Sequence, residues 1–133
     1  MKKLSFMFLF IIGIIACLVN CSKEPVYKEF LIKVDSLTTE SLQTGSARPL
    51  LSVHLYGTIS PNGCSSYSHC KSYWQDQDFI IEAWKNVQVG ATVCPTVMVY
   101  LDQTITFSRD SFPANFILKV KQPDGSYLEK PIE

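Results

Sequence analysis

Side chains alternate between apolar and polar along most of the chain from residue 28 onward. In 29–35 the apolar residues Phe30, Ile32 and Val34 recur at every second position, and the charged residues Glu29, Lys33 and Asp35 mark the polar row or the ends. Because successive side chains of a strand point to opposite faces, this spacing predicts a half-buried strand. The same period recurs in 51–59, 78–84, 96–102 and 115–121, and no later segment shows a helical period over a dozen residues. The sequence therefore predicts an all-β domain.

Turn signals separate these segments. Residues 60–63 and 122–125 both place proline early and glycine late, as tight turns require. The second turn predicts a C-terminal hairpin of 115–121 with 127–132. Residues 36–49 are interpreted as a polar loop, and 102–113 is left open between a strand extension and a loop. We predict a single antiparallel immunoglobulin-like β-sandwich of about seven strands over 28–133, after an N-terminal signal helix.

The first 20 residues have the pattern of an export signal. Lys2 and Lys3 precede an uncharged apolar run, residues 4–16, in a chain of 133 residues. That run is shorter than the roughly 20 apolar residues that a transmembrane helix needs. We therefore predict a lipoprotein signal peptide over 1–20, a tether over 21–27 and the folded domain after it.

Two cysteines compete as the lipid attachment site. Cys17 follows Ala16, the small residue that bacterial lipoprotein signals favour, whereas Cys21 follows Asn20 but leads directly into a polar segment. Cleavage before Cys17 is slightly favoured, and both alternatives stay open. Either one predicts an exported protein that acyl chains anchor to a bacterial membrane of the cell envelope, with the outer membrane favoured.

The charge balance excludes some partners. Removing residues 1–20 takes away two of the 12 basic residues and none of the 12 acidic ones, which leaves the remainder with a net charge of −2. Nucleic-acid binding needs a basic face, and so does a polybasic membrane contact. We therefore predict a membrane partner through the lipid, a protein or glycan as a further partner, and no nucleic acid.

Three cysteines remain for the exported domain. Cys64 follows a turn and Cys94 precedes Pro95, so both lie at strand ends that a sandwich can bring together. We predict a Cys64–Cys94 disulfide, which stabilises the fold by roughly 3–4 kcal/mol, and an unpaired, packed Cys70. A metal site from Cys64, His69, Cys70 and Cys94 is the weaker hypothesis, because neighbouring strand residues point opposite ways. No metal and no cofactor are predicted.

Two cysteine-bearing stretches carry a resemblance to a known group. Residues 61–64 (PNGC) and 93–101 (VCPTVMVYL), together with 34–36 (VDS) and 56–59 (YGTI), resemble small lipoproteins of Bacteroidetes-type bacteria. The resemblance covers roughly residues 30–130 and implies a β-sandwich with the two matching cysteines near each other. It implies no reaction, so no catalytic residue is carried over.

Aromatic residues give the one positive indication of binding. Tyr67, Tyr73 and Trp74, with His69, fall in a stretch interpreted as a loop, where exposed rings can stack on sugars or contact a protein. Packing into the core is the commoner role of large aromatic residues, and it is favoured for Tyr67 and Trp74. His54, on a predicted strand, is expected to face solvent or to accept or donate a hydrogen bond.

Three functions follow from these observations. The first is a noncatalytic, lipid-anchored accessory or binding module. The second is a small inhibitor that presents the 61–75 loop to an exported hydrolase. The third is a hydrolase that uses His69 or the pair Asp76 and Asp78 beside Trp74. Because no nucleophile motif or phosphate-binding loop accompanies these residues, the enzyme hypothesis is the weakest.

Overall fold

The chain folds into eight β-strands. The computed structural model describes residues 24–42 and 49–133, so the predicted signal peptide, Cys17 and Cys21 lie outside the described residues. One turn of 3₁₀ helix, Arg109–Ser111, is the only helical element in the described ranges. The strands are β1 (Val26–Leu31), β2 (Lys33–Leu42), β3 (Leu50–Ser60), β4 (Ser65–Gln75), β5 (Asp78–Val89), β6 (Val99–Ser108), β7 (Phe116–Lys121) and β8 (Tyr127–Ile132). The predicted all-β class is confirmed, with one strand more than expected.

These strands form two sheets. The first sheet is built around β5, which pairs with β4 along one edge and with both β1 and β7 along the other. The strand β8 then pairs with β7, as the predicted C-terminal hairpin requires. The second sheet has the order β2-β3-β6. Within the described part of the chain, β1, β4 and β8 each pair with one strand only, so all three are edge strands of the first sheet.

One strand pair departs from the expected antiparallel arrangement. The strand β7 runs parallel to β5, with Phe79 opposite Leu118 and Ile81 opposite Val120. Parallel neighbours need a crossover connection, and β6 in the second sheet supplies it. Because β1 already occupies the C-terminal half of this edge of β5, β7 pairs with the N-terminal half. All other pairs are antiparallel.

The chain changes sheets at Ile32. This residue is fully buried between β1 and β2, and its backbone N–H donates a 2.8 Å hydrogen bond to Ala83. The strand β1 begins at Val26, so the last two residues of the predicted tether belong to the first sheet. The predicted loop over 36–49 is wrong for its first part, because β2 continues to Leu42. Most side chains of this edge strand are exposed, which is why its sequence is polar.

A single core lies between the two sheets. Its buried side chains come from both of them, so the sheets pack face to face. No helix among the described residues is long and apolar enough to cross a bilayer. The core residues are Ile32, Val34, Leu51, Val53, Leu55, Ile59, Phe79, Ile81, Ala83, Leu101, Phe116, Leu118, Val120 and Ile132.

The two ends of the domain differ in composition. At one end, the turn 61–64 and the connection 90–98 are joined by the Cys64–Cys94 disulfide, and we call this the disulfide end. At the other end lie the β4–β5 turn at 76–77, the 3₁₀ helix and the segment 112–115, and we call this the groove end. The strand β5 runs from the groove end to the disulfide end, and its 12 residues span about 36 Å.

Candidate functional site

Two adjoining open depressions lie at the groove end, and we call them together the groove. They have volumes of about 560 and 510 Å³ and share Gln77 and Asn115 in their walls. Residues from β4, β5, β7 and β8 and from the segment after β6 contribute to the lining. The other lining residues are Trp74, Asp76, Asp78, Ser111, Pro113, Phe116, Ile117, Pro131, Ile132 and Glu133.

Trp74 forms the aromatic part of this groove. It is 41% exposed, although its ring contacts Phe79, Phe112 and Phe116 at centroid distances of 5.1, 5.4 and 5.5 Å. The indole is therefore packed against three phenylalanine rings while part of its surface stays exposed. Tyr67 packs against the core cluster, as expected. Trp74 was also expected to pack into the core, but it does so only in part.

Arg109 holds one rim of the groove. Its guanidinium donates hydrogen bonds to the backbone carbonyls of Pro113 at 2.7 Å and Ala114 at 2.6 Å, and lies 5.7 Å from the ring of Phe116. Bonds from a charged donor to several carbonyls fix the path of the segment. Arg109 could not be predicted as a groove residue from the sequence, because it falls in the region 102–113, where the pattern fits both a strand extension and a loop.

The two acidic residues proposed for a hydrolase have different environments. Asp76 lies at the tip of the β4–β5 turn with a φ of 55°, a conformation that aspartate tolerates better than most residues. Asp78 forms a 2.7 Å ion pair with Lys119, which also binds Glu129 at 3.1 Å. Hydrogen bonds to these two carboxylates raise the pKa of Lys119. Asp78 is thus held in an ion pair with a lysine side chain that a second carboxylate shares.

The segment expected to be a binding loop is mostly a strand. Residues 65–75 form β4, and only 61–64 of the predicted 61–75 loop is a turn. The register shifts between Tyr67 and His69, which marks a bulge at Ser68. This bulge reverses the alternation along β4, so the sequence shows no continuous apolar row. His69 and Tyr73 consequently lie on the outer face of the first sheet.

His69 belongs to a small polar cluster rather than to a catalytic relay. Its Nδ1 lies 2.9 Å from the Ser68 hydroxyl and 3.3 Å from a Glu29 carboxylate oxygen, and that hydroxyl donates to Glu29 at 2.8 Å. In a serine relay the hydroxyl and the acid contact opposite ring nitrogens. Here both contact the same nitrogen, so this geometry does not activate Ser68. The His69 ring stacks on Trp84 at 6.2 Å.

Glu82 is the buried charge of the outer face. It is 7% exposed, accepts a hydrogen bond from the Tyr73 hydroxyl at 3.0 Å and forms a 3.1 Å ion pair with Lys121. Burial alone would raise the pKa of Glu82, but the hydrogen bonds from Lys121 and Tyr73 outweigh it and lower that pKa overall. Burial and the bond to Glu82 raise the pKa of Tyr73. The cluster therefore holds an ionised carboxylate at neutral pH.

We expect Glu82→Gln to weaken the dependence of stability on acid. Because the pKa of Glu82 is lower in the folded than in the unfolded state, its contribution is complete above the ordinary value of 4.5 and is lost as pH falls through the folded value. Urea unfolding between pH 7 and pH 2 measures this. Below pH 4.5, the free energy of unfolding of the parent should fall more steeply with decreasing pH than that of the variant. At pH 7 the variant should be about 1–3 kcal/mol less stable than the parent.

The matched control is Glu40→Gln on the exposed edge strand β2. It should follow the parent at every pH. Parallel curves for the parent and Glu82→Gln would show that Glu82 does not stabilise the fold as an ion.

The outer face of the second sheet carries a second polar pair and an aromatic pair. His54 Nε2 lies 2.6 Å from an Asp102 carboxylate oxygen, so the expectation of a hydrogen-bonded strand histidine is confirmed. Tyr56 and Tyr100 stack with ring centroids 6.1 Å apart and planes at 11°. This pair could not be predicted from the sequence, because cross-strand neighbours depend on the register of β3 with β6.

The predicted disulfide is confirmed. Cys64 and Cys94 are bonded with a Cα–Cα distance of 5.3 Å, and Cys70 is unpaired and packs against the core. Burial raises the pKa of the Cys70 thiol. His69 lies on the outer face and Cys70 on the inner one, as the strand geometry predicts. No group of three or more metal-ligating side chains occurs within 24–42 and 49–133.

The fold and these contacts describe an all-β domain of two packed sheets, braced by one disulfide and carrying a groove at the opposite end. Comparison of the chain with protein-family models, with curated proteins and with solved structures finds no match.

Proposed function

We propose that this chain is a noncatalytic, lipid-anchored protein of the cell envelope whose immunoglobulin-like sandwich binds a glycan in the groove. The observation that carries the proposal is the position of Trp74. Its indole is 41% exposed within a groove whose walls also hold the exposed Gln77 and Asn115 side chains. The groove end is also the end of the domain farthest from Val26, where the tether enters the fold.

The chemistry of the groove suits a neutral sugar. The exposed part of the indole offers apolar area to the C–H face of a pyranose ring. Side-chain amides both donate and accept hydrogen bonds, which matches the hydroxyl groups of a sugar, and the Asp76 carboxylate adds an acceptor. Arg109 keeps the rim in place before the ligand arrives, which reduces the entropy cost of binding.

Two arguments favour binding over hydrolysis. A glycosidase needs one carboxyl group that stays protonated beside the scissile bond, but Asp78 is paired with Lys119. The contacts of Ser68 and Glu29 on the same nitrogen of His69 do not form a relay. The inhibitor hypothesis loses its presented loop, because residues 65–75 are paired with β5 over the length of β4.

The lipid anchor is proposed from the sequence alone. A short basic start, an apolar run and a lipobox-like segment before Cys17 or Cys21 form the pattern of a bacterial lipoprotein signal. The resemblance to lipoproteins of Bacteroidetes-type bacteria points the same way. Mass spectrometry of the N-terminal peptide of the membrane-extracted protein identifies the acylated cysteine. An unmodified N-terminus and a protein in the aqueous phase would contradict the anchor.

Glycan binding is tested with the full chain in detergent. We expect maltotriose, chitotriose or mannotriose, titrated by calorimetry, to bind the parent, and Trp74→Ala to weaken the affinity at least about tenfold. Tyr100→Ala, which removes an exposed ring outside the groove, should bind like the parent. Binding that survives Trp74→Ala, or the release of shorter sugars during the titration, would contradict the proposal. So would selective binding of peptides instead of sugars.

A further inference from the structure

The disulfide end of the domain presents an apolar surface. Val93 is 83% exposed, Val97 54% and Met98 52%, all in the connection 90–98. The adjacent Val26 and Val89, which pair across β1 and β5, are 62% and 43% exposed. A soluble surface seldom concentrates this much exposed aliphatic area at one place.

The connection 90–98 and the turn 61–64 at this end lack charged side chains, and the charges that flank Val26 in the sequence are Glu24 and Lys28. The sequence has no Asp, Glu, Lys or Arg between Lys85 and Asp102, nor between Arg48 and Lys71. Both the connection 90–98 and the facing turn 61–64 are therefore uncharged. Moving these two segments out of water therefore does not require the burial of a charged side chain.

Exposed tyrosines lie beside this apolar surface. Tyr27, next to Val26 on β1, is 53% exposed, and Tyr100, two residues after Met98, is 52% exposed. Tyrosine is enriched where a protein meets the boundary between water and lipid, because its ring is apolar and its hydroxyl is polar.

The apolar connection is held in its exposed conformation. The Cys64–Cys94 disulfide ties it to the turn 61–64, and the Gly63 backbone N–H donates a 2.8 Å hydrogen bond to the carbonyl of Pro95. The Val97 N–H donates to the same carbonyl at 2.9 Å. Little conformational entropy is therefore lost when the connection meets a binding surface.

The tether brings this end to the membrane. Val26 follows Cys21 by five residues and Cys17 by nine, so even a fully extended chain places it within about 18 Å or 32 Å of the acylated residue. Because Val26 pairs with Val89, the strand that the tether enters lies at the disulfide end. This step rests on the proposed lipid anchor.

We propose that the disulfide end forms a second, direct contact with the lipid surface, in which Val93, Val97 and Met98 enter the boundary between headgroups and acyl chains. Tyr27 and Tyr100 then lie at the level of the headgroups. The contact orients β5 away from the membrane and presents the groove about 36 Å from the lipid surface.

The experiment uses the full chain in vesicles of phosphatidylcholine and phosphatidylglycerol with brominated acyl chains, which quench tryptophan fluorescence at short range. The emission of the tryptophan added in Val93→Trp is obtained by subtracting the emission of the parent, which contains Trp74 and Trp84. We expect this added emission to be shifted to the blue and quenched at least twofold. The matched control Gln77→Trp, at the groove end, should show no added quenching. Mass spectrometry of the same samples reports acylation.

The outcomes separate the contact from the anchor. Acylated Val93→Trp without quenching overturns the lipid contact and leaves the anchor intact. Quenched Val93→Trp in an unacylated chain supports the contact and overturns the anchor. A blue shift without quenching by brominated lipid means that protein covers the surface, for example a second copy of the chain, and it overturns the proposal.

Discussion

Replacing Cys64 and Cys94 together with serine is expected to lower the free energy of unfolding by about 3.5 kcal/mol. The two cysteines are separated by 30 positions, and their bond limits the unfolded chain by closing that loop. It also joins the turn before β4 to the connection between β5 and β6, which leads from one sheet to the other.

Urea unfolding at pH 7, with and without a reducing agent, measures this effect. The reduced parent should match the double variant, and the reductant should leave the double variant unchanged. Cys70→Ser, which leaves the disulfide in place, should keep the parent's response to reduction. Equal stability of the oxidised and reduced parent would show that the bond adds nothing to the fold.

Phe79→Ala is expected to cost about 3–5 kcal/mol of unfolding free energy. Phe79 is 5% exposed and lies among the rings of Phe107, Phe112 and Trp74, at centroid distances of 5.1, 4.8 and 5.1 Å. Truncation leaves a cavity under the groove that these rings cannot fill without moving. Because Trp74 rests on Phe79, the variant should also bind the groove ligand more weakly.

A matched control is Phe30→Ala on β1, where the same side chain is 48% exposed. It should cost less than about 1 kcal/mol. Phe79→Leu keeps most of the volume, so it should fold and lose less than the alanine variant even where Phe79→Ala does not fold at all. Equal losses for Phe79→Ala and Phe30→Ala would contradict the assignment of Phe79 to the core.

The alternation of apolar and polar residues was sufficient to predict the core residues of strands that have one buried face. The alternation in β3 and β7 assigns Leu51, Val53 and Leu55 to the core, and these residues are buried. The turn at 122–125 and its hairpin were predicted for the same reason, because proline and glycine restrict the backbone locally. The disulfide was predicted correctly because both cysteines were placed near strand ends; Cys64 directly precedes β4, whereas Cys94 lies in the middle of the connection 90–98.

The alternation of apolar and polar residues did not predict the strands whose two faces have similar environments. Along β2 most side chains are exposed, and along β4 a bulge at Ser68 reverses the alternation. Both segments therefore had the composition of loops. The groove could not be predicted either, because Trp74, Arg109 and Asn115 come from segments that are distant in the sequence and meet only at one end of the sandwich.

The amino-acid sequence by itself determined the all-β class, the position of most turns and the pairing of Cys64 with Cys94. The class and the turns follow from backbone preferences and from burial along short segments, and the cysteine pairing follows from the places of both residues relative to the predicted strands. Only the tertiary structure decided the parallel pairing of β7 with β5 and the bulge that sets which β4 side chains face the core. It also decided the contrast between an end with exposed aliphatic side chains and an end with a groove. These features depend on which segments become neighbours, and that is set by the packing of the whole chain around one core.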